Sequence, residues 1–353
     1  MKHLAIAAAI GLLSVQAHAQ STVAITGLVD SYAGSMRMAG DAGRTLAINS
    51  GGMTTSYFGF VGTEDLGGGL KAHFALTSFL RMDSGSAGRF DGDPFFARDA
   101  NVGLSGDFGS VRLGRGVAPN FIPTVVVNPF GNSFAFSPLI LHANVNTGRY
   151  SYRTTPSDTG WSNQVVYSSP KWKDLQLNLQ YQFGEQPSSS DGKNKHNVGA
   201  NLTYAAGPLT VTGYYERDQI SNPVNPSVLT TPIAGTQVPL TRKVWMVGAS
   251  YDAGPVKGFG SYGRSTAEVT RYDAKTTSLG ISAPLDANKV GLLLAAVART
   301  EISGPFNGSR VTASVGYDYF LSKRTDLYAV AMRDRVTGLQ SGNSFGVGVR
   351  HRF

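Results

Sequence analysis

Residues Ser344–Phe353 read SFGVGVRHRF. Phe345, Val347, Val349, His351 and Phe353 alternate with Ser344, Gly346, Gly348, Arg350 and Arg352. A period of two belongs to a β-strand with one apolar and one polar face. The apolar face runs to the last residue, so the chain ends inside a strand rather than in a polar tail.

The same period recurs upstream. Leu175, Leu177, Leu179, Tyr181 and Phe183 alternate with Gln176, Asn178, Gln180, Gln182 and Gly184. Val311, Ala313, Val315, Tyr317 and Tyr319 alternate with Thr312, Ser314, Gly316 and Asp318, and Val23, Ile25, Gly27 and Val29 with Ala24, Thr26, Leu28 and Asp30. Each run holds about ten residues, the length a tilted strand needs to cross a bilayer. Short turns separate them at Glu64–Gly69, Gly106–Ser110, Ser169–Asp174, Ala206–Pro208, Asp252–Pro255, Pro284–Lys289 and Leu321–Thr325. Between these turns lie eight segments, each reading strand, longer polar loop, strand. The pattern predicts an all-β fold: a transmembrane antiparallel β-barrel of 16 strands with short turns on one side and long loops on the other. Alternation by itself also fits a soluble sandwich or solenoid. Uniformly long strands, aromatics at strand ends and the terminal Phe353 favour the barrel.

Composition agrees with strands and narrows the chemistry. The 353 residues carry 43 Gly, 15 Tyr and 18 Phe, with only 15% charged residues. With no Cys, disulfides, thiol nucleophiles and Cys-ligated metals are excluded. The net charge is +8, but the basic residues are scattered single Arg rather than runs, which disfavours nucleic acid. At the N-terminus, Lys2 and His3 precede a mostly apolar Leu4–Val15, and Ala17-His18-Ala19 fits a cleavage site. Residues 1–19 are therefore expected to be a signal peptide, and 20–353 the barrel. The mature chain has four His (His73, His142, His196, His351), none in a Ser-centred Gly motif, and no HExxH. No enzyme and no cofactor are expected.

Several stretches in order resemble the trimeric general porins of betaproteobacteria: ITGLVDSY (Ile25–Tyr32), GTEDLGGGLK (Gly62–Lys71), VGLSGDFG (Val102–Gly109), VRLGR (Val111–Arg115), LSKRTDLY (Leu321–Tyr328) and GVGVRHRF (Gly346–Phe353). The likeness runs from about residue 22 to the end. It implies a general diffusion porin of the Gram-negative outer membrane, a homotrimer among lipid and lipopolysaccharide, with the third long loop folded into the pore as a constriction. Asn101 and Ser105, if they face outward, are polar positions suited to a subunit contact. Two places depart from the family pattern. Ser56-Tyr57-Phe58-Gly59 stands where members often carry Ser-Arg before an aliphatic-Gly pair, and Asn128-Pro129-Phe130-Gly131 replaces Asp-Pro-Phe-Gly in the constriction loop.

Charge in such a pore is a field problem: low-dielectric walls focus the field of the lining groups. Between Asp107 and Asp158 there is no acidic residue, yet the stretch holds Arg112, Arg115, Arg149, Arg153 and His142. Arg149 and Arg153 share one parity and Tyr150 and Tyr152 the other. Arg at the lipid-facing midplane costs about 2–4 kcal/mol, so the Arg side is expected to face the lumen. Arg81 shares parity with Lys71, His73 and Thr77, opposite Leu70, Ala72, Phe74 and Leu76. Arg98 matches a family pore arginine by position. Arg81, Arg98, Arg153, Arg149, Arg115 and Arg112 are therefore the candidate pore-constriction residues, and the expected solutes are small polar or anionic ones. Lumen carboxylates are expected at Asp30 and Asp318. The loop from Asn120 to Leu141 is unusually apolar. Either it packs on the inner wall, or it offers a greasy path for aromatic or aliphatic carboxylates. A surface adhesin or receptor barrel, resting on long loops such as Ile220–Arg242, is the alternative of another class.

Overall fold

The computed structural model describes residues 21–144, 158–184, 195–220, 222, 241–268, 271–286, 288, 290–304 and 307–353. The leader expected at 1–19, the pair Arg149 and Arg153, and most of the Ile220–Arg242 loop lie outside them.

The strands are β1 (Thr22–Met36), β2 (Thr45–Ser50), β3 (Tyr57–Gly67), β4 (Leu70–Phe79), β5 (Asp99–Gly106), β6 (Gly109–Val117), β7 (Gly160–Ser168), β8 (Leu175–Phe183), β9 (His196–Ala206), β10 (Leu209–Asp218), β11 (Arg242–Asp252), β12 (Lys257–Ala267), β13 (Tyr272–Pro284), β14 (Gly291–Ser303), β15 (Gly308–Phe320), β16 (Thr325–Val336) and β17 (Gly342–Arg352). Two short helices, α1 (Phe121–Val126) and α2 (Pro138–Ala143), lie between β6 and β7. All strand pairs are antiparallel, and β17 returns to β1 in register from Leu28↔Arg352 to Ser35↔Phe345. The sheet closes, so every strand has two neighbours and no edge is left in lipid. All seven short turns fall where the sequence places them.

Seventeen segments fill sixteen barrel places. The lower part of β1 pairs with β3 (Thr22↔Thr63 to Leu28↔Tyr57) and its upper part with β2 (Ser31↔Ser50 to Met36↔Thr45). β2 and β3 are one barrel strand interrupted by residues 51–56. The interruption is held from inside: the Asp30 carboxylate accepts the backbone N–H of Gly52 (3.0 Å), Met53 (2.8 Å) and Thr54 (2.7 Å), and the Tyr328 hydroxyl donates to it as well.

Alternation sorts the two faces. On β15, Val315 is 55% exposed while Thr312 is fully buried. On β5, Val102 and Leu104 are the outward residues. Asn101 and Ser105 therefore have the inward parity, and Asn101 donates its side-chain amide to the Arg115 carbonyl at 2.8 Å. The expectation that they face outward as subunit contacts is corrected by this register.

The segment between β6 and β7 crosses to the wall opposite its own strands. Phe130, Phe136 and Leu141 pack with Leu294, Tyr328, Val330 and Met332. Val127, Leu139 and Ala143 pack with Tyr214, Val244 and Met246. Its apolar residues thus bury against inward positions of the barrel wall, the first of the two readings the sequence allowed. Inward glycines on every second strand make room. Pro119 sits over Gly199 of β9, Val127 over Gly248 of β11, Pro129 over Gly280 of β13, Phe130 over Gly316 of β15 and Phe136 over Gly346 of β17. A Cβ at Gly280 would meet Pro129 at 2.6 Å. The wall of alternate strands is notched along the path of the loop.

Gly280→Val is therefore expected to force Pro129 off the wall. Overpacking of this kind costs about 1–3 kcal/mol, read as a lower urea or thermal midpoint of the barrel in detergent. Gly258→Val, where a Cβ meets nothing, is expected to leave the midpoint unchanged.

Candidate functional site: an arginine-lined cavity beside the third loop

The end of β4 runs into a small hairpin. Leu80 bridges Ala87, and the Arg81 N–H donates to the Ser86 carbonyl at 2.9 Å. This presents Arg81, whose Nη2 lies 2.7 Å from Asp91. Arg89 follows, gripped by Asp93 through Nε (2.8 Å) and Nη2 (2.9 Å), with its guanidinium over Phe79. Arg98, tied to β4 by its N–H to the Thr77 carbonyl, reaches Asp99 at 2.6 Å and lies 3.9 Å over the Tyr57 ring.

Arg115 arrives by a different device. Leu113 faces outward, so plain alternation would send Arg115 outward too. A bulge between Gly114 and Gly116 shifts the register with β7, and Gly114 takes φ +122, a backbone state open to glycine. Bulges re-aim side chains, and here Arg115 turns in. It is 7% exposed and donates to the Ala97 carbonyl and, at 2.8 Å, to the Ser162 hydroxyl.

These four arginines line one cavity of about 360 Å³ between the β4–β6 wall and the third loop. No Asp or Glu lines it among the described residues. Asp91, Asp93 and Asp99 each hold one of these arginines, and none of the three is part of the lining. The remaining walls mix small polar groups, among them Ser50, Thr55 and Thr159, with aromatic rings: Tyr57, Phe79 and Phe90 from the barrel side, Phe121 and Phe134 from the loop.

Of the six candidates from the sequence, Arg81, Arg98 and Arg115 come together here. Arg112 does not join them. It lies three residues below Arg115 on β6, about 10 Å along a strand, near the short β5–β6 turn and beside His73. Arg149 and Arg153 are outside the described residues. Arg89 was missed, because it sits in an irregular loop where parity has no meaning. The four loop residues Asn128–Gly131 do not line the cavity. Asn128 is an internal brace: its amide donates to the carbonyls of Thr124 (2.6 Å) and Gly131 (2.9 Å), and its oxygen accepts from Phe130 N and the Ser137 hydroxyl, both at 2.9 Å.

Several other inward charges are paired. Asp318 and Asp326 hold Arg350, and Asp334 holds Arg310. His142 is fully buried between the hydroxyls of Thr300 (2.7 Å) and Thr312 (2.8 Å). Burial first, then Arg310, holds its pKa well below the usual histidine value, so it adds no charge at neutral pH. The start of the loop is anchored by Glu216, which accepts from the Asn120 N–H at 2.9 Å. Asp158, at the loop's far end, accepts from the Asn222 N–H at 2.7 Å, and burial pushes its carboxyl up to about 6 against the pull of Arg242.

Comparison with known proteins fits this geometry. Outer membrane porin protein 32 of Delftia acidovorans is 29% identical over the whole of both chains. An outer membrane porin protein of Bordetella pertussis is 29% identical over 84% of this chain and 82% of its own. Among solved structures, an anion-selective porin from Comamonas acidovorans superposes with TM-score 0.75 at 23% identity, covering 95% of this chain and all of that one. The trimer form of OmpT from Vibrio cholerae superposes with TM-score 0.66 at 17% identity, over 94% and 99%. A family model described as Gram-negative porin matches residues 5–339, and with a closed barrel behind that match, the chain belongs to the Gram-negative porin family.

Proposed function

We propose that this outer-membrane porin passes small anions in preference to cations, with its narrowest point between the third loop and the β4–β6 wall. One observation carries the reading: four arginines line the cavity there and no carboxylate does among the described residues. In a water-filled pore with low-dielectric walls, the groups nearest the path set the local ion concentration. Charges a Debye length away, about 8 Å at physiological salt, count for less. The Comamonas acidovorans protein is named an anion-selective porin, which supports the same sign.

The assembly is a homotrimer in this reading. Outward Tyr residues ring the barrel from β8 to β15, with Tyr181, Tyr204, Tyr215, Tyr251, Tyr262 and Tyr317 all exposed. Such rings mark the lipid interface. The outward face of β1–β6 is mostly aliphatic, with Phe60 exposed on β3, and carries no exposed Tyr among the described residues. That face suits a neighbouring copy, while the Tyr-ringed face meets lipid and lipopolysaccharide. Residues 1–19 act as the cleaved leader, which puts Gln20 at the mature N-terminus.

In planar bilayers with a KCl gradient, the reversal potential is expected to show chloride more permeant than potassium. Potassium preference would overturn the reading. Replacing Arg81→Gln with Arg98→Gln leaves Asp91 and Asp99 without their partners and is expected to lower the chloride-to-potassium ratio several-fold. The drop should shrink at 1 M salt, where screening acts within about 3 Å. For the assembly, native mass in mild detergent is expected to be three times the protomer. Val102→Asp, at a position 58% exposed on the aliphatic face, is expected to release monomers.

A further inference from the structure

We infer that the arginine-lined cavity is a binding subsite for small aryl monocarboxylates, with benzoate as the simplest member. The inference rests on the anion preference above and adds a substrate class to it. The donors available there are of two kinds. Among the described residues, the buried Nε of Arg81 donates to nothing, and its ion-pair partner there, Asp91, is 95% exposed at its side chain. An exposed pair of this sort is weak, so an incoming carboxylate can take over the guanidinium. Arg115 spends its bonds on a carbonyl and a hydroxyl, both neutral, and touches no carboxylate directly among the described residues. Arg89 and Arg98 differ: their carboxylates hold them in short contacts, and they serve to orient Phe79 and Tyr57.

The rest of the lining sets aromatic rings beside small polar groups such as Ser50, Thr55 and Thr159. Phe121 and Phe134 come from the loop, and Tyr57 and Phe79 face them from the barrel. A chloride ion gains nothing from these rings and loses water beside them. A carboxylate with a flat apolar body satisfies both halves of the site. Its oxygens meet guanidinium N–H groups, while its ring lies among aromatic side chains. The volume, about 360 Å³, lies at the small end of the roughly 300–1,000 Å³ typical of ligand sites, suited to one such molecule. The packing role of the loop does not account for these two rings, since the residues that bury it on the wall are others.

The test uses the isolated porin in planar bilayers at neutral pH. Chloride current through single channels is recorded while sodium benzoate or sodium acetate is added at matched ionic strength. Benzoate is expected to interrupt the current at a concentration at least tenfold below acetate. The double variant Phe121→Ala with Phe134→Ala is expected to bring benzoate to the acetate level, and Arg81→Gln to weaken block by benzoate about tenfold. Equal potency of benzoate and acetate on the unmodified pore, or interruption by neither, overturns the subsite. The reversal potential in KCl alone, taken on the same channels, reports the anion preference separately. A chloride-preferring pore that does not distinguish the two acids refutes the subsite and leaves the selectivity standing.

Discussion

Everything in this molecule follows from the rule that a backbone N–H or C=O in hydrocarbon must have a protein partner, because no water is there to supply one. A sheet meets the rule only by closing on itself, and β17 closes on β1 across eight paired residues. Closure then imposes the rest. Strands alternate greasy residues toward lipid with polar ones toward the lumen. The termini meet, and connections alternate between tight turns and long loops. The interior so created is too wide for side chains alone to fill, so part of the chain can be sent inward.

That inward segment needs a surface to lie on, and a polar inner wall offers few apolar contacts. Two local departures from regular barrel structure provide it. Inward glycines on alternate strands let backbone carry the apolar residues of the loop at close approach. Such positions cost conformational entropy in a strand, a cost offset where a Phe or Pro fills the notch. On the other side, the interruption between β2 and β3 brings Met53 and Thr54 toward the loop. The Ser133 hydroxyl donates to the Gly52 carbonyl at 2.6 Å, and Thr54 bonds Asn132 at 3.2 Å. The Asp30 carboxylate stabilises that interruption, so a residue that reads as a lumen charge serves instead as a cap for three N–H groups.

The barrel was legible in the sequence because alternation and turn chemistry are local. A period of two in Leu175–Gly184 or Ser344–Phe353 needs no knowledge of the partner strand. The broken second strand was not legible: β2 and β3 both pair with β1, and no local signal separates one barrel strand from two. Parity located Arg81, and position located Arg98. Parity alone misassigns Arg115, since the Gly114 bulge reverses it, and glycine in a strand is an ambiguous mark. Parity also shows that Asn101 and Ser105 face in once Val102 and Leu104 are known to face out. Arg89 belongs to a loop whose shape is set by Asp93 and by stacking on Phe79, contacts with no sequence period. Asn128 invited a reading as a lost pore charge. Its four hydrogen bonds show a residue that shapes the loop from within.

The sign of the pore is therefore not a matter of counting charges along the chain. The acid-free stretch from Phe108 to Ser157 contributes a single arginine, Arg115, to the cavity among its described residues; Arg81, Arg89 and Arg98 come from a segment that also holds Asp91, Asp93 and Asp99. With Asp83 that segment holds three Arg and four Asp, so by composition it is slightly acidic. Geometry overrides that count, because the three arginines line the cavity and the aspartates that hold them are not part of the lining. A paired guanidinium still presents N–H groups to the water in front of it, and the Asp91 carboxylate, 95% exposed at its side chain, keeps only a weak hold on Arg81. Two of the pairs also fix arginines over aromatic rings, Arg89 over Phe79 and Arg98 over Tyr57. The same ion pairs that lower the net charge also build the apolar walls, and this is why guanidinium groups and aromatic surface occur in one place.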